Sequence, residues 1–218
     1  MERYYYDEND KKDLINKVLN EFFVLLLICT IGMIIGKMFV PPQFAFIAGI
    51  GSIIVLIVAT VTRRSENRSL SKAIIYSVAF LMGISTFPTI LYYVSTIGSE
   101  MVLISLGITT VVFGSLALYS SQSKRDFTFL GGTLFVGLIA LILISIVGLF
   151  LRSEIYHLAI AWLGILIFSG YVLHDISLIK NRPFTEDDVP RLALNLFLDF
   201  INIFIYVLRI VSRFNRRN

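Results

Sequence analysis

Four polar residues stand inside stretches that are otherwise almost wholly apolar: His174, Asp175, Asp199 and Asn202. The two residues on either side of Asp199 are all Phe, Leu or Ile. A carboxylate in such surroundings needs a proton, a partner or a cation, because an unpaired buried charge costs several kcal/mol. Two carboxylates can bind a hard cation such as calcium, or share a proton and activate water. Asp175 and Asp199 are therefore the candidate functional residues.

The stretches that hold these residues have the length and composition of membrane spans. The chain has 218 residues, of which 56% are apolar and 16% are charged, and its mean hydropathy is +0.81. A soluble domain carries roughly 25% charged residues, and a spanning helix needs about 20 apolar ones. A lone cysteine, Cys29, excludes an internal disulfide and a cysteine-based zinc site. We predict an all-α membrane protein whose seven segments are 22–38, 44–62, 74–94, 101–119, 127–151, 156–178 and 192–211.

The distribution of Lys and Arg predicts the orientation. Thirteen of them fall in the N-terminal region and the loops on its side, and two fall in the opposite loops, which favours a cytoplasmic N-terminus. We predict a cytoplasmic lead-in over 1–21, one membrane domain over 22–211 and a basic tail over 212–218. The arginines of the tail disagree with seven crossings, so segment seven either crosses against the rule or is short or re-entrant. Charges spread over loops suit lipid headgroups rather than nucleic acid.

Helix geometry brings the acidic residues to one depth. Segments six and seven meet at the cytoplasmic side, where Asp175 and Asp199 each lie one or two turns from the boundary. Arg63 ends segment two on that side, although it also suits a plain topology anchor. We expect Asn202 to share a face with Asp199 and to bond to another helix, and His174 to point away from Asp175. Pro88 is expected to kink segment three, and the hydroxyls of Ser85 and Thr86 are expected to donate to the carbonyls that lose their helix bonds there.

The last-helix stretch Leu198-Asp199-Phe200-Ile201-Asn202, the aspartate of His174-Asp175, and the run from Gly83 to Pro88 resemble the transmembrane Bax inhibitor motif family, and its small bacterial members in particular. The resemblance covers essentially the whole chain. It implies a central last helix wrapped by the other six, a bacterial plasma membrane location and a pH-sensitive calcium leak.

The same resemblance implies roles for three residues. Asp175 and Asp199 correspond to the family's paired aspartates, which would hold calcium transiently, and Arg63 corresponds to the arginine that latches onto them. The pair is expected to titrate as a coupled unit. One departure stands out, since family members carry an acidic residue within segment two, whereas here Ser52 lies near that place.

Two other functions remain open from the residues. A proton-coupled cation exchanger would use the same carboxylates. An intramembrane aspartyl protease would also place two Asp on consecutive helices, but its Gly-x-Gly-Asp is replaced here by Leu-Phe-Leu-Asp. We expect no enzymatic activity and no cofactor, with calcium as the permeant ion and with lipid, calcium and protons as the partners.

Overall fold

The computed structural model of the chain describes residues 8–52, 54–55, 72–148, 150–151 and 153–215. These residues form helices joined by short turns, and no strand occurs among them. The long helices are α1 (Glu8–Phe39), α3 (Lys72–Gln122), α4 (Gly131–Gly148), α5 (Glu154–Asn181) and α6 (Val189–Asn215), and α2 is helical at 45–52 and 54–55. Single 3-10 turns lie at Pro42–Phe44, Thr128–Leu130 and Glu186–Asp188.

Five of these helices are long and apolar enough to cross a membrane: α1, α3, α4, α5 and α6. The 51-residue α3 is broken at Gly98, where φ is 85° and ψ is 158°, a conformation that glycine adopts without strain. This break falls between predicted segments three and four. The count of seven stays a prediction, because residues 53 and 56–62 of segment two lie outside the described residues.

The break in α3 does not lie at its proline. Helical φ and ψ continue through Pro88, and the non-helical residue is Gly98, ten positions on. The Thr86 hydroxyl donates to the Met82 carbonyl at 2.7 Å, whereas the carbonyl that Pro88 leaves without its helix bond belongs to Ile84. The prediction that Thr86 compensates for the proline was therefore wrong.

Glycines let α1 and α3 approach closely. A Cβ at Gly83 would lie 2.1 Å from the Cys29 carbonyl oxygen, and a Cβ at Gly32 would lie 2.3 Å from the Phe80 carbonyl oxygen. Only hydrogen fits at either place, as small-residue packing of membrane helices requires. In the described part of the chain, nothing lies within 4 Å of such a Cβ at Gly107 or at Gly114.

The chain divides into two compact units. Unit one comprises 1–89 and 183–197, and unit two comprises 90–182 and 198–218. In unit one the Lys17 ammonium pairs with Glu186 at 2.6 Å and ties α1 to the turn before α6. Unit two has an apolar core formed by six buried residues of α4, α5 and α6: Leu141, Ile160, Phe168, Val172, Ile203 and Val207.

The last helix differs from the others in burial and pattern. Of the most apolar stretch of 18 residues in each helix, 61% is buried in α6 and 6% in α4. Exposed apolar side chains on α4, such as Phe135 and Val136, are suited to lipid. The burial of α6 is what a central last helix needs, and the central arrangement itself stays a prediction.

Helix α6 is one continuous helix of 27 residues, about 40 Å long, which is long enough to cross a membrane; the choice between a full crossing and a re-entrant segment stays a prediction. Near its end the Arg213 guanidinium forms an ion pair with Glu154, at the start of α5. The C-terminal end of α6 therefore lies beside the N-terminal end of α5. The division into lead-in, membrane domain and tail stays a prediction.

Candidate ion-pathway site

Asp175 lies on α5 and is only 4% exposed. The helix is held from the neighbouring α3, because the Ser120 hydroxyl donates to the Leu173 carbonyl at 2.7 Å. Leu173 lies two residues before the aspartate, and its carbonyl faces α3. The position of the carboxylate in unit two therefore depends on packing between α3 and α5.

His174 contacts the carboxylate next to it. Its Nδ1 lies 2.7 Å from Asp175 Oδ1, so our prediction that the imidazole points away was wrong. Adjacent helical residues project about 100° apart, but an imidazole is long enough to reach sideways to a short carboxylate. On the other side of the ring, a Cβ at Gly131 would lie 2.9 Å from His174 Nε2. The start of α4 thus confines the imidazole against Asp175.

A loop clasps the last two turns of α5. The Ser177 hydroxyl donates to Asp126 Oδ1 at 3.1 Å and accepts from the Phe127 amide at 2.8 Å. Hydrogen bonds from the backbone amide and the hydroxyl of Thr128 lower the pKa of the Asp126 carboxyl to about 2, with smaller contributions from Ser177 and Asn181. The clasp orients the turn of α5 that follows Asp175.

Asp199 lies on α6 and is also only 4% exposed. Its Oδ2 has no hydrogen-bond partner among the residues that the structure describes. The next residue, Phe200, packs edge-on against Phe113 of α3 with ring centroids 5.4 Å apart, which fixes the rotation of α6 at this level. Asp199 is thus held in an apolar setting, with one carboxylate oxygen that accepts no hydrogen bond from the described residues.

The two aspartates lie within electrostatic range of each other inside unit two. Tyr171, one turn before Asp175, lies within range of both carboxylates. Tyr171 was not among the predicted site residues. The spacing of four residues from Asp175 places both on one face of α5, and that signal could have identified it.

Two other predicted residues have different outcomes. The Asn202 amide donates to the Leu198 carbonyl of its own helix at 2.7 Å, so the predicted bond to another helix was wrong. The i−4 carbonyl is within reach of a short polar side chain in any helix. Arg63 lies outside the described residues, as does much of segment two.

A third buried carboxylate lies in unit one and was missed. Glu21 of α1 is buried, with Lys72 Nζ 3.6 Å from Oε2 and the Tyr76 hydroxyl bonded to the carboxylate. Its Oε1 has no partner in the described part of the chain. Glu21 shares a helical face with buried Val18 and Leu25, and that spacing could have indicated that its side chain is buried.

Comparison with known proteins decides the family. The family model described as "Inhibitor of apoptosis-promoting Bax1" matches residues 11–216. The chain belongs to the Bax inhibitor family. This membership confirms the resemblance drawn from the last-helix motif.

Relatives of this Bax inhibitor family protein occur in bacteria and in mammals. It is 31% identical to protein lifeguard 4 of Mus musculus over 176 residues, which cover 81% of this chain and 71% of the relative. It is 31% identical to the inner membrane protein YbhL of Escherichia coli over 175 residues, 76% of this chain and 71% of the relative. An uncharacterized membrane protein of Vibrio cholerae is 29% identical over 209 residues, 93% and 92% of the two chains. Together with the five apolar helices, these relatives show a multi-pass membrane protein.

Proposed function

We propose that this protein is a pH-sensitive calcium leak channel, closed at one end by the Asp175–Asp199 pair. The observation that carries the proposal is the buried Asp199 Oδ2, which has no hydrogen-bond partner among the described residues. A carboxylate oxygen in an apolar helix without a donor is costly to keep. Ionisable residues inside membrane spans mark ion or proton pathways by default.

The chemistry of the pair suits a passing ion better than a resident one. Calcium takes six to eight oxygen ligands, and the two carboxylates supply part of that number. Within the described ranges no group of three or more His, Cys, Asp or Glu side chains is placed so that it could hold a metal ion. A weak oxygen site lets the ion leave again, which conduction requires.

Protons compete with calcium for the same oxygens. Proton uptake by either carboxylate removes negative charge, so it weakens the attraction of the pair for a cation. Arg63, which lies outside the described residues, is the proposed latch that neutralises the pair in the closed state. We place this end of the path on the cytoplasmic side of a bacterial plasma membrane, with the N-terminus in the cytoplasm.

The test is calcium flux into liposomes that contain the purified protein and a calcium dye, measured across a series of pH values. Asp199→Asn keeps the side-chain shape and removes the charge, so it should abolish the pH response and change the flux at least about tenfold. The matched control is Asp187→Asn, because Asp187 is exposed on the turn before α6 and its charge change is the same.

The outcomes separate the possibilities. The proposal fails if Asp199→Asn behaves like Asp187→Asn in both flux and pH response. Flux that occurs only against an opposing proton gradient indicates a proton-coupled exchanger instead of a leak.

A further inference from the structure

A polar cleft lies in unit two, far from the aspartates. It has a volume of about 260 Å³ and lies between the first turn of α5, the last turns of α6 and the Tyr92–Tyr93 turn of α3. Glu154 in the cleft and Asp175 are 21 residues apart on α5, or about 30 Å along the helix. The cleft therefore belongs to the opposite end of the helix from the proposed ion-pathway site.

The cleft carries more positive than negative charge. Arg209, Arg213, His157 and Glu154 line it, and Arg213 is already paired with Glu154. The Arg209 guanidinium lies 5.8 Å from the centroid of the Tyr206 ring. Within the part of the chain that the structure describes, no carboxylate lies within ion-pair distance of Arg209. One arginine of the cleft is thus left to bind an anion.

The size and chemistry of the cleft select the kind of anion. A guanidinium presents paired N–H donors that match the oxygens of a phosphate. Ser212 adds a hydroxyl to the lining. A volume of about 260 Å³ is below the range of roughly 300–1,000 Å³ typical of sites for drug-sized ligands. It suits one phosphate with a small substituent.

The surroundings of the cleft favour a phosphate attached to a lipid. Beside Glu154, Ile155 is 77% exposed, and Trp162 lies two turns further along α5 with 54% exposed. Phe214, next to Arg213, is 56% exposed. Tyrosines and tryptophan at a helix end are typical of the membrane interface, where lipid headgroups lie.

We propose that this cleft binds a phosphate group through Arg209, as the anionic headgroup of a membrane phospholipid or as a soluble phosphate. The site is independent of the proposed channel activity. The bound phosphate would hold the ends of α5 and α6 together, next to the Arg213–Glu154 ion pair that joins the same two helix ends.

The test uses the full-length protein in neutral detergent and measures the melting temperature as a ligand is added. Short-chain phosphatidylglycerol should raise the melting temperature with saturation, and short-chain phosphatidylcholine should not. Arg209→Gln should weaken the apparent affinity at least about tenfold, because it removes a charge-assisted pair of hydrogen bonds. Arg182→Gln is the matched control, since Arg182 is exposed at the other end of α5.

Inorganic phosphate separates the two sources. An Arg209-dependent shift with phosphate equal to that with phosphatidylglycerol assigns the site to soluble phosphate, and a shift with the lipid alone assigns it to a headgroup. If Arg209→Gln does not fold, Arg209→Lys carries the test, because it keeps the charge and loses the fork and should weaken binding severalfold. The proposal is overturned if neither ligand shows saturable binding, or if the Arg209 variant binds as tightly as the Arg182 variant.

Discussion

Replacement of Gly83 by alanine tests the close approach of α1 and α3. The added Cβ would lie 2.1 Å from the Cys29 carbonyl oxygen and 2.9 Å from both the Cys29 carbonyl carbon and the Met33 nitrogen. All three are backbone atoms, so no side-chain rotation relieves the collision. Restoring an ordinary contact of 3.4 Å requires the two backbones to separate locally by about 1.3 Å.

Such overpacking typically costs about 1–3 kcal/mol. In a chain of this length each kcal/mol shifts the melting temperature by about 2–4 °C. We therefore expect Gly83→Ala to lower the melting temperature by roughly 2–12 °C, measured by thermal unfolding of the purified protein in detergent.

Gly107→Ala is the matched control in the same helix. Nothing lies within 4 Å of a Cβ at Gly107, and alanine is the better helix former by about 0.5–1 kcal/mol. This variant should melt at or above the wild-type temperature. A Gly83 variant that melts as high as the Gly107 variant would refute the close contact between the backbones of α1 and α3.

Two further predictions concern the groups around Asp175. His174→Phe keeps a ring and removes Nδ1, so the pH at half-maximal calcium flux should shift. Gly131→Ala should shift that pH in the same direction, because the added methyl group displaces the imidazole. Unchanged pH profiles in both variants would contradict a role for the imidazole. The folded-state pKa of Asp126 is about 2, below the usual value near 4, so its ionised form stabilises the fold above about pH 4 and that contribution disappears as the pH falls through 2. Asp126→Asn should therefore melt below the wild type at pH 7 and together with it near pH 2, and a gap in melting temperature that is the same at both pH values would contradict this.

The sequence alone was sufficient to predict the kind of protein and its two most unusual residues. The apolar runs predicted membrane helices, because lipid requires each span to satisfy its own backbone hydrogen bonds. The isolation of Asp199 among Phe, Leu and Ile marked it as costly, and the structure finds it buried with an unpartnered oxygen among the described residues. These are local properties that need no knowledge of neighbouring helices.

The contacts of the site could not be read from local patterns. Glu21 was assigned to a cytoplasmic lead-in and not predicted to be buried, whereas α3 supplies Tyr76 and Lys72 beside it. Asn202 bonds within its own helix rather than across to another. The imidazole of His174 meets Asp175 where Gly131 of α4 leaves no room behind the ring. Each outcome depends on which neighbour faces a given side of the helix.

The division between sequence and tertiary structure has a physical basis. Length and hydropathy determined that helices form and cross a membrane, because each helix closes its own hydrogen bonds and needs only an apolar surface. Packing decided the rotation of each helix, and with it the pairing of Arg213 with Glu154, which are 59 residues apart in the chain. The polar cleft around Arg209 exists for the same reason, since it forms only when the ends of α5 and α6 lie side by side.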